Sequence, residues 1–133
     1  MSAHNSLHQN FRGTPIVDPG ASGTITVDRS PAYVGLTSAT TETRTLDRPT
    51  QVGAIVSIFH EVDAGDITLT VTGNYNETGD STLVFSDPGQ FAVFVATKAG
   101  STYSWRLISH YGIGNTSPTE AAALNGLTAT VTE

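Results

Sequence analysis

The chain has 133 residues, no cysteine, and a formal net charge of −6, and Lys98 is its single lysine. An acidic chain is poorly suited to sequence-independent nucleic-acid binding, which depends on Lys and Arg to neutralise phosphates. The lack of cysteine excludes disulfides, thiolate nucleophiles and cysteine metal sites.

The length fits one domain, and only 14% of the residues are charged, so Thr, Ser, Asn and Gly must cover much of its surface. No apolar stretch approaches the ~20 residues of a membrane-spanning helix. The first ten residues lack the apolar core of a signal peptide. We therefore expect a soluble protein that is made in a cytoplasm and binds no membrane.

Residues 1–22 predict an extended N-terminal arm, because they are polar, contain Pro and Gly, and show no sustained periodicity. Leu7, Phe11, Ile16 and Val17 are isolated apolar anchors within this arm. Such a segment is either a terminus without fixed structure or an arm that orders by lying across a neighbouring subunit. These four residues are our predicted interface residues.

Residues 23–133 predict a β-sandwich domain. Threonine occupies 21 positions, many of them alternating with Val, Ile, Leu or Phe. This period of two places apolar side chains on one face of a strand and hydroxyls on the other. The expected strands are residues 24–28, 33–36, 40–46, 52–62, 67–72, 82–85, 91–97, 102–109 and 127–132.

Three of these segments carry more specific expectations. Residues 40–46 are polar and predict an edge strand, with Glu42 and Arg44 as charges that discourage edge pairing. Residues 52–62 are partly apolar on both faces and predict a central strand. Residues 91–97 and 102–109 predict a hairpin whose second arm places Trp105 in the core.

The short strands recur about every ten residues, which is typical of a sandwich, a jelly roll or a small barrel. We expect an all-β fold: an antiparallel jelly-roll sandwich of about eight strands with the extended N-terminal arm. A single helical turn is expected at residues 118–124, with Ser117 as its N-cap.

The titratable residues form no recognised catalytic or metal-binding motif. His4 and His8 are four residues apart in a segment expected to be extended, and His60 and His110 lack the His-x-His of a cupin metal site. No nucleophile elbow or phosphate-binding loop occurs. We therefore expect no enzyme activity and no cofactor.

Acidic residues gather in the segment from Pro49 to Thr97. They are either turn residues that face solvent or a cluster that faces a cation or an Arg-bearing partner. The residues are Glu61, Asp63, Asp66, Glu77, Asp80 and Asp87.

The stretch 32–112 resembles the small cement (decoration) proteins of tailed-bacteriophage capsids. The resemblance is carried by YVGLT at residues 33–37, VGAIVSIF at 52–59, ITLTVTG at 67–73, and the pair FAVFV at 91–95 and YSWRL at 103–107. It implies a homotrimer on the outer surface of a virion capsid, with the major capsid protein as its partner. Its expected role is to bridge neighbouring capsomers and stabilise the shell.

Two other functions remain open. A carbohydrate- or receptor-binding jelly roll of a phage tail or fibre needs exposed aromatics at one loop end, and Tyr75, Tyr103 and Tyr111 are the candidates. A small metal-dependent or hydrolytic β-sandwich enzyme is the other alternative.

Overall fold

The computed structural model describes residues 13–115. This range contains strands β1 (Thr14–Ile16), β2 (Gly23–Ile25), β3 (Ala32–Thr37), β4 (Glu42–Leu46), β5 (Ile55–Val62), β6 (Ile67–Val71), β7 (Thr82–Phe85), β8 (Phe91–Ala99), β9 (Thr102–Tyr111) and β10 (Gly114–Asn115). Sheet A has the strand order β1-β3-β5-β8-β9, and sheet B has the order β10-β7-β6-β4-β2. The all-β prediction is confirmed for this range. Residues 13–115 include no helix that could cross a membrane.

The first six strands alternate between the two sheets. β1, β3 and β5 are parallel neighbours in sheet A, and β2, β4 and β6 are parallel neighbours in sheet B. Parallel neighbours need a crossover connection, and here each crossover is a strand of the opposite sheet. The remaining pairs, β5–β8, β6–β7, β7–β10 and β8–β9, are antiparallel. Both sheets are therefore mixed.

The expectation of a purely antiparallel sandwich is thus wrong for the first half of the fold, and a jelly-roll arrangement is not confirmed. Short strands separated by turn residues produce the same sequence pattern whether a turn closes a hairpin or carries the chain to the opposite sheet. The alternation of apolar and polar side chains along a strand shows which side of that strand is buried, but it does not identify the strand that lies next to it.

One hydrophobic core lies between the sheets. Inward side chains alternate along the strands, as with Val34 and Leu36 in β3, which are fully buried. The predicted core position of Trp105 is confirmed, since its side chain has no exposed surface. Its indole Nε1 donates a 2.7 Å hydrogen bond to the carbonyl of Asp47, just beyond β4, so this side chain also ties sheet A to sheet B.

The predicted edge strand at residues 40–46 is wrong. β4 lies between β2 and β6 inside sheet B, and Arg44 is 1% exposed. A charged residue tolerates this position because its partners are acidic side chains, one of them 26 residues earlier in the chain. Local sequence gives no indication of such a distant partner.

The second half of the predicted arm contributes to both sheets. β1 pairs with β3, and the amide of Ser22 donates to the carbonyl of Thr43 just before β2 begins. Residues 1–12 lie outside the described residues, as do the helical turn predicted at 118–124 and the strand predicted at 127–132.

Candidate functional site

The outer face of sheet A carries four aromatic side chains, Tyr33, Phe59, Phe91 and Tyr111, which we call the aromatic face. Tyr33 and Phe59 stack with ring centroids 6.4 Å apart, and Phe91 and Tyr111 stack at 6.0 Å. Phe59 and Phe91 are partners in the register of β5 and β8, so the rings follow one another from β3 to β9. Tyr111 is 65% exposed, and Tyr33 and Phe91 expose slightly more than a third of their surface.

Aliphatic side chains extend this surface. Ile55 is exposed beside Val95, its partner in β8, and Val93 is half-buried on the same side of that strand. A contiguous apolar patch of this kind usually marks an interaction site, because water hydrates it poorly. The aromatic face is the main candidate site in the described part of the chain.

Gly35 positions one ring of this face. Gly35 and Phe59 are partners in the register of β3 and β5. A Cβ added at Gly35 would lie 3.0 Å from two ring carbons of Phe59 and would collide with the Glu61 carboxylate. The ring therefore covers the glycine, which compensates for the missing side chain and holds Phe59 close to the sheet.

The outer face of sheet B is chemically different, and we call it the threonine face. It has at least two rows of threonines in register, and each member is exposed or half-buried. Thr24, Thr45, Thr70 and Thr82 form one row across β2, β4, β6 and β7, and Thr43 pairs with Thr68 in the next row. Hydroxyls keep this face wetted without adding charge. The sandwich thus has one apolar side and one polar side.

A buried ion cluster fixes the chain between β1 and β2 to β4. Arg44 Nε and Nη2 donate to the two carboxylate oxygens of Asp18 at 2.7 and 3.1 Å, and Nη1 donates to Glu42 at 2.9 Å. Nη1 and Nη2 also donate to the carbonyls of Thr43 and Thr37. All five guanidinium N–H groups are therefore satisfied, which is the condition for burying an arginine at tolerable cost.

The cluster changes the acidity of its members. Burial acts to raise the pKa of Asp18, but hydrogen bonds from Arg44 and from the amides of Thr37 and Gly20, with the charge of Arg44, lower it overall. The amide of Ala39 and the side chain of Arg44 are the main causes that lower the pKa of Glu42. Asp18 and Glu42 raise the pKa of Arg44 in return. The cluster is a structural lock that stays ionised at neutral pH.

Ser38, His60 and Asp63 lie together, but their geometry is not that of a hydrolase. Ser38 Oγ is 3.4 Å from His60 Nε2 and Asp63 Oδ1 is 3.8 Å from that same nitrogen, whereas a triad places Ser and Asp on opposite ring nitrogens. Ser38 Oγ donates to the carbonyl of Gly65 at 2.6 Å and accepts from the amide of Ala64. His60 Nδ1 is buried without a partner among the described residues. These contacts join two turns rather than activating a nucleophile.

The predicted interface residues fall into two groups. Leu7 and Phe11 lie outside the described residues. Ile16 is half-buried and packs against the core, whereas Val17, directly after β1, is 88% exposed. Val17 is thus the described member of the set that is available for contact.

The acidic loop at residues 76–80 shows ordinary turn contacts. Asn76 receives hydrogen bonds from the amides of Gly79 and Asp80 and donates to the Asp80 carboxylate at 2.9 Å, so this loop is held by its own side chains. Between residues 13 and 115, no three His, Asp or Glu side chains are grouped so that they could hold a metal ion.

The aromatic candidates for a loop-end sugar site do not converge. Tyr75 is buried and packs edge-on against Phe94, and Tyr103 lies under the Lys98 ammonium. Only Tyr111, of these three, is largely exposed, and it belongs to the aromatic face.

Sequence reasoning missed the aromatic face, although a signal was present. The apolar residues on both faces of segment 52–62 predicted a central strand, which β5 is, but their outward members also form a surface. Recognising that surface required the register that brings Phe59 beside Phe91 and Tyr33. No protein-family model matches the chain, and no curated protein matches it.

Proposed function

We propose that the chain is a non-enzymatic virion structural protein, a cement protein that binds the outside of an icosahedral phage capsid. In this role it bridges neighbouring capsomers as a homotrimer and stabilises the shell. The observation that carries the proposal is the contrast between the aromatic face of sheet A and the threonine face of sheet B. The resemblance of residues 32–112 to cement proteins supports the same assignment.

A protein that coats a larger assembly needs one side that binds and one side that stays in water. In the proposed orientation the aromatic face turns toward the capsid and the sister copies. Aromatic side chains bury ~150–250 Å² each when they are fully covered, and they dominate interface energetics. The threonine face then forms the outer surface of the decorated particle. Its uncharged hydroxyls limit attraction between particles.

Stabilisation of the shell follows from linkage. A protein that binds the assembled lattice but not free subunits stabilises the lattice by about RT ln(1 + [L]/Kd) per site. Modest affinity is sufficient because many sites are filled, and a trimer adds avidity by linking three footprints. Because each sandwich is rigid, the three contact surfaces of the trimer keep fixed positions relative to one another. The finer prediction of a jelly roll is not needed for this role, since any two-layer block with one apolar side meets the same requirement.

The test compares a charge placed on each face. Tyr111→Glu adds a carboxylate to the aromatic face at a largely exposed position, and Thr70→Glu adds the same group to the threonine face at an exposed position. Each purified variant is incubated with capsids built from the major capsid protein of the same genome, and co-sedimentation is measured. We expect Tyr111→Glu to raise the Kd for capsids at least tenfold, which corresponds to about 1.4 kcal/mol, and Thr70→Glu to bind like the unmodified chain. Equal binding by both variants would remove the support for the proposal.

The exposed Phe91–Tyr111 pair also favours a second candidate, a carbohydrate-binding role at a tail or fibre. Stacked rings on a sheet face present a flat apolar platform on which a sugar ring can pack. A glycan array separates the two functions. Binding that is lost in Tyr111→Ala favours the second, and no binding together with capsid co-sedimentation favours the first.

A further inference from the structure

Glu61, near the end of β5, places an exposed carboxylate on the aromatic face. This carboxylate lies back against the sheet above Gly35, where an added Cβ would collide with it. The ring of Phe59 lies beside the carboxylate, 3.0 Å from the same point. One row of the face, across β3, β5, β8 and β9, therefore presents a carboxylate and then three rings, those of Phe59, Phe91 and Tyr111.

The Glu61 carboxylate has no Arg or Lys partner in the part of the chain that the structure describes. None of the hydrogen bonds and ion pairs in that part includes it. Arg29 precedes β3 and so lies at the opposite end of the sheet, since Glu61 is near the last residues of β3 and β5. The other arginines and the lysine of that part donate hydrogen bonds elsewhere or lie over a ring: Arg44, Arg48, Arg106 and Lys98.

Any partner that covers the aromatic face also covers Glu61. Burying a carboxylate without a partner is costly, whereas a well-placed cation offsets much of that cost. A purely apolar partner would therefore gain contacts with the rings but leave a charge buried and unpaired. The net charge of the chain, −6, also attracts a basic partner rather than an acidic one.

We propose that the partner of the aromatic face presents an arginine side chain, which pairs with Glu61 and lies against the ring of Phe59. The inference rests on the proposed function for the identity of this partner, the major capsid protein. A planar guanidinium donates two parallel hydrogen bonds to a carboxylate, stacks on aromatic faces, and is less strongly hydrated than an ammonium group. The ring beside the carboxylate adds a cation–π attraction. A divalent metal ion would gain nothing from the rings and needs more oxygen ligands than one carboxylate supplies.

The arginine site is separate from the position that tests the cement role. Gly35 and Tyr111 are three strand spacings apart in one row, roughly 14 Å. The carboxylate introduced by Tyr111→Glu is therefore beyond the reach of this arginine and meets the apolar part of the contact. Variants of Glu61 and of Tyr111 thus probe different halves of the aromatic face.

The first test measures capsid binding by Glu61→Gln, which keeps the size of the side chain and removes its charge. The matched control is Glu77→Gln, the same change at an exposed position in the loop after β6. The Kd for capsids is measured at about 50 mM and about 200 mM NaCl. We expect Glu61→Gln to raise the Kd at least tenfold at the lower salt and to weaken its dependence on salt, while Glu77→Gln binds like the unmodified chain. Equal binding and equal salt dependence in the two variants would overturn the proposal.

A second test needs no capsid. The isolated protein is titrated with N-acetyl-arginine amide, and in parallel with N-acetyl-citrulline amide, which has nearly the same shape but no charge. We expect the arginine probe to shift the NMR ring signals of Phe59, with saturation at roughly tens of millimolar probe. Neither the citrulline probe nor the Glu61→Gln variant should show this shift. Equal shifts with both probes, or no shift with the arginine probe, would contradict an arginine site.

The arginine site and the cement role fail separately. If the arginine probe binds at Glu61 but the unmodified chain does not bind capsids, the site stands and the cement role fails. If capsids are bound and Tyr111→Glu weakens that binding, while Glu61→Gln binds like Glu77→Gln, the cement role stands and the arginine partner fails.

Discussion

Replacing Arg44 by Met tests whether the buried ion cluster holds the start of the sandwich in place. Met keeps most of the apolar stem but removes all five N–H donors, which leaves the Asp18 carboxylate, 16% exposed, without its ionic partner. Removing one partner of a buried pair costs about 3–5 kcal/mol. Asp18 retains its hydrogen bonds from the amides of Gly20 and Thr37, so we expect the lower end, about 3 kcal/mol. For a domain of this size that loss lowers the Tm by roughly 10 °C.

The assay is thermal and urea unfolding followed by circular dichroism. Arg29→Met, at an exposed position, is the matched control and should melt within about 2 °C of the unmodified chain. The double variant Arg44→Met with Asp18→Asn should recover part of the loss, because the uncompensated charge is gone. An Arg44→Met variant that melts like the control would refute the role assigned to the cluster.

Three further predictions concern the same fold. Because the pKa of Asp18 is lowered in the folded state, its contribution to stability is complete above its unfolded pKa of about 4 and is lost as the pH falls through the folded value. Urea titrations from pH 7 to pH 3 should therefore show a smaller loss of unfolding free energy for Asp18→Asn than for the unmodified chain. Equal losses in the two proteins would contradict this. Trp105→Ala should lower the free energy of unfolding by about 3–5 kcal/mol, and Trp105→Phe by clearly less, in the same unfolding assay. An unchanged melting curve for Trp105→Ala would show that this side chain does not belong to the core. Gly35→Ala should push Phe59 away from the sheet and lower stability by about 1–3 kcal/mol, seen as a lower Tm and a shifted ring signal in NMR spectra, whereas an unshifted signal would contradict the close packing.

The strands and the buried faces were largely predictable from the sequence. Residues 67–72 and 82–85 alternate apolar and polar side chains, and β6 and β7 occupy nearly the same positions, with Leu69 and Leu83 inward. The hairpin of β8 and β9 was also predicted, because Gly100 falls between two apolar runs. In the structure Gly100 has a positive φ and lies in the turn that closes this hairpin. Local chemistry decides these features, so local sequence reveals them.

Strand pairing was not predictable in the same way. The turn between residues 25 and 32 contains Pro31 and polar residues, as a hairpin turn would, yet it carries the chain from sheet B to sheet A. The neighbours of β3 are β1 and β5, which come from sequence-distant segments. Nothing in residues 33–36 specifies those partners, because the backbone hydrogen bonds between strands do not depend on side-chain identity. Which strands become neighbours is decided by the packing of the whole domain.

The two features that sequence reasoning missed depend on long-range contacts. Arg44 was assigned to a solvated edge, and only its pairing with Asp18 explains its burial. The aromatic face brings together β3, β5, β8 and β9, whose aromatic residues are scattered over almost 80 positions of the chain. A surface of this kind becomes visible only after the strand register is known.

The most direct test of the central claim, that the aromatic face binds the capsid, is cryo-electron microscopy of capsids incubated with the purified chain. We predict added density of three copies around local three-fold positions, with sheet A toward the shell and the threonine face toward solvent. Capsids without added density, or bound copies with the threonine face against the shell, would contradict it.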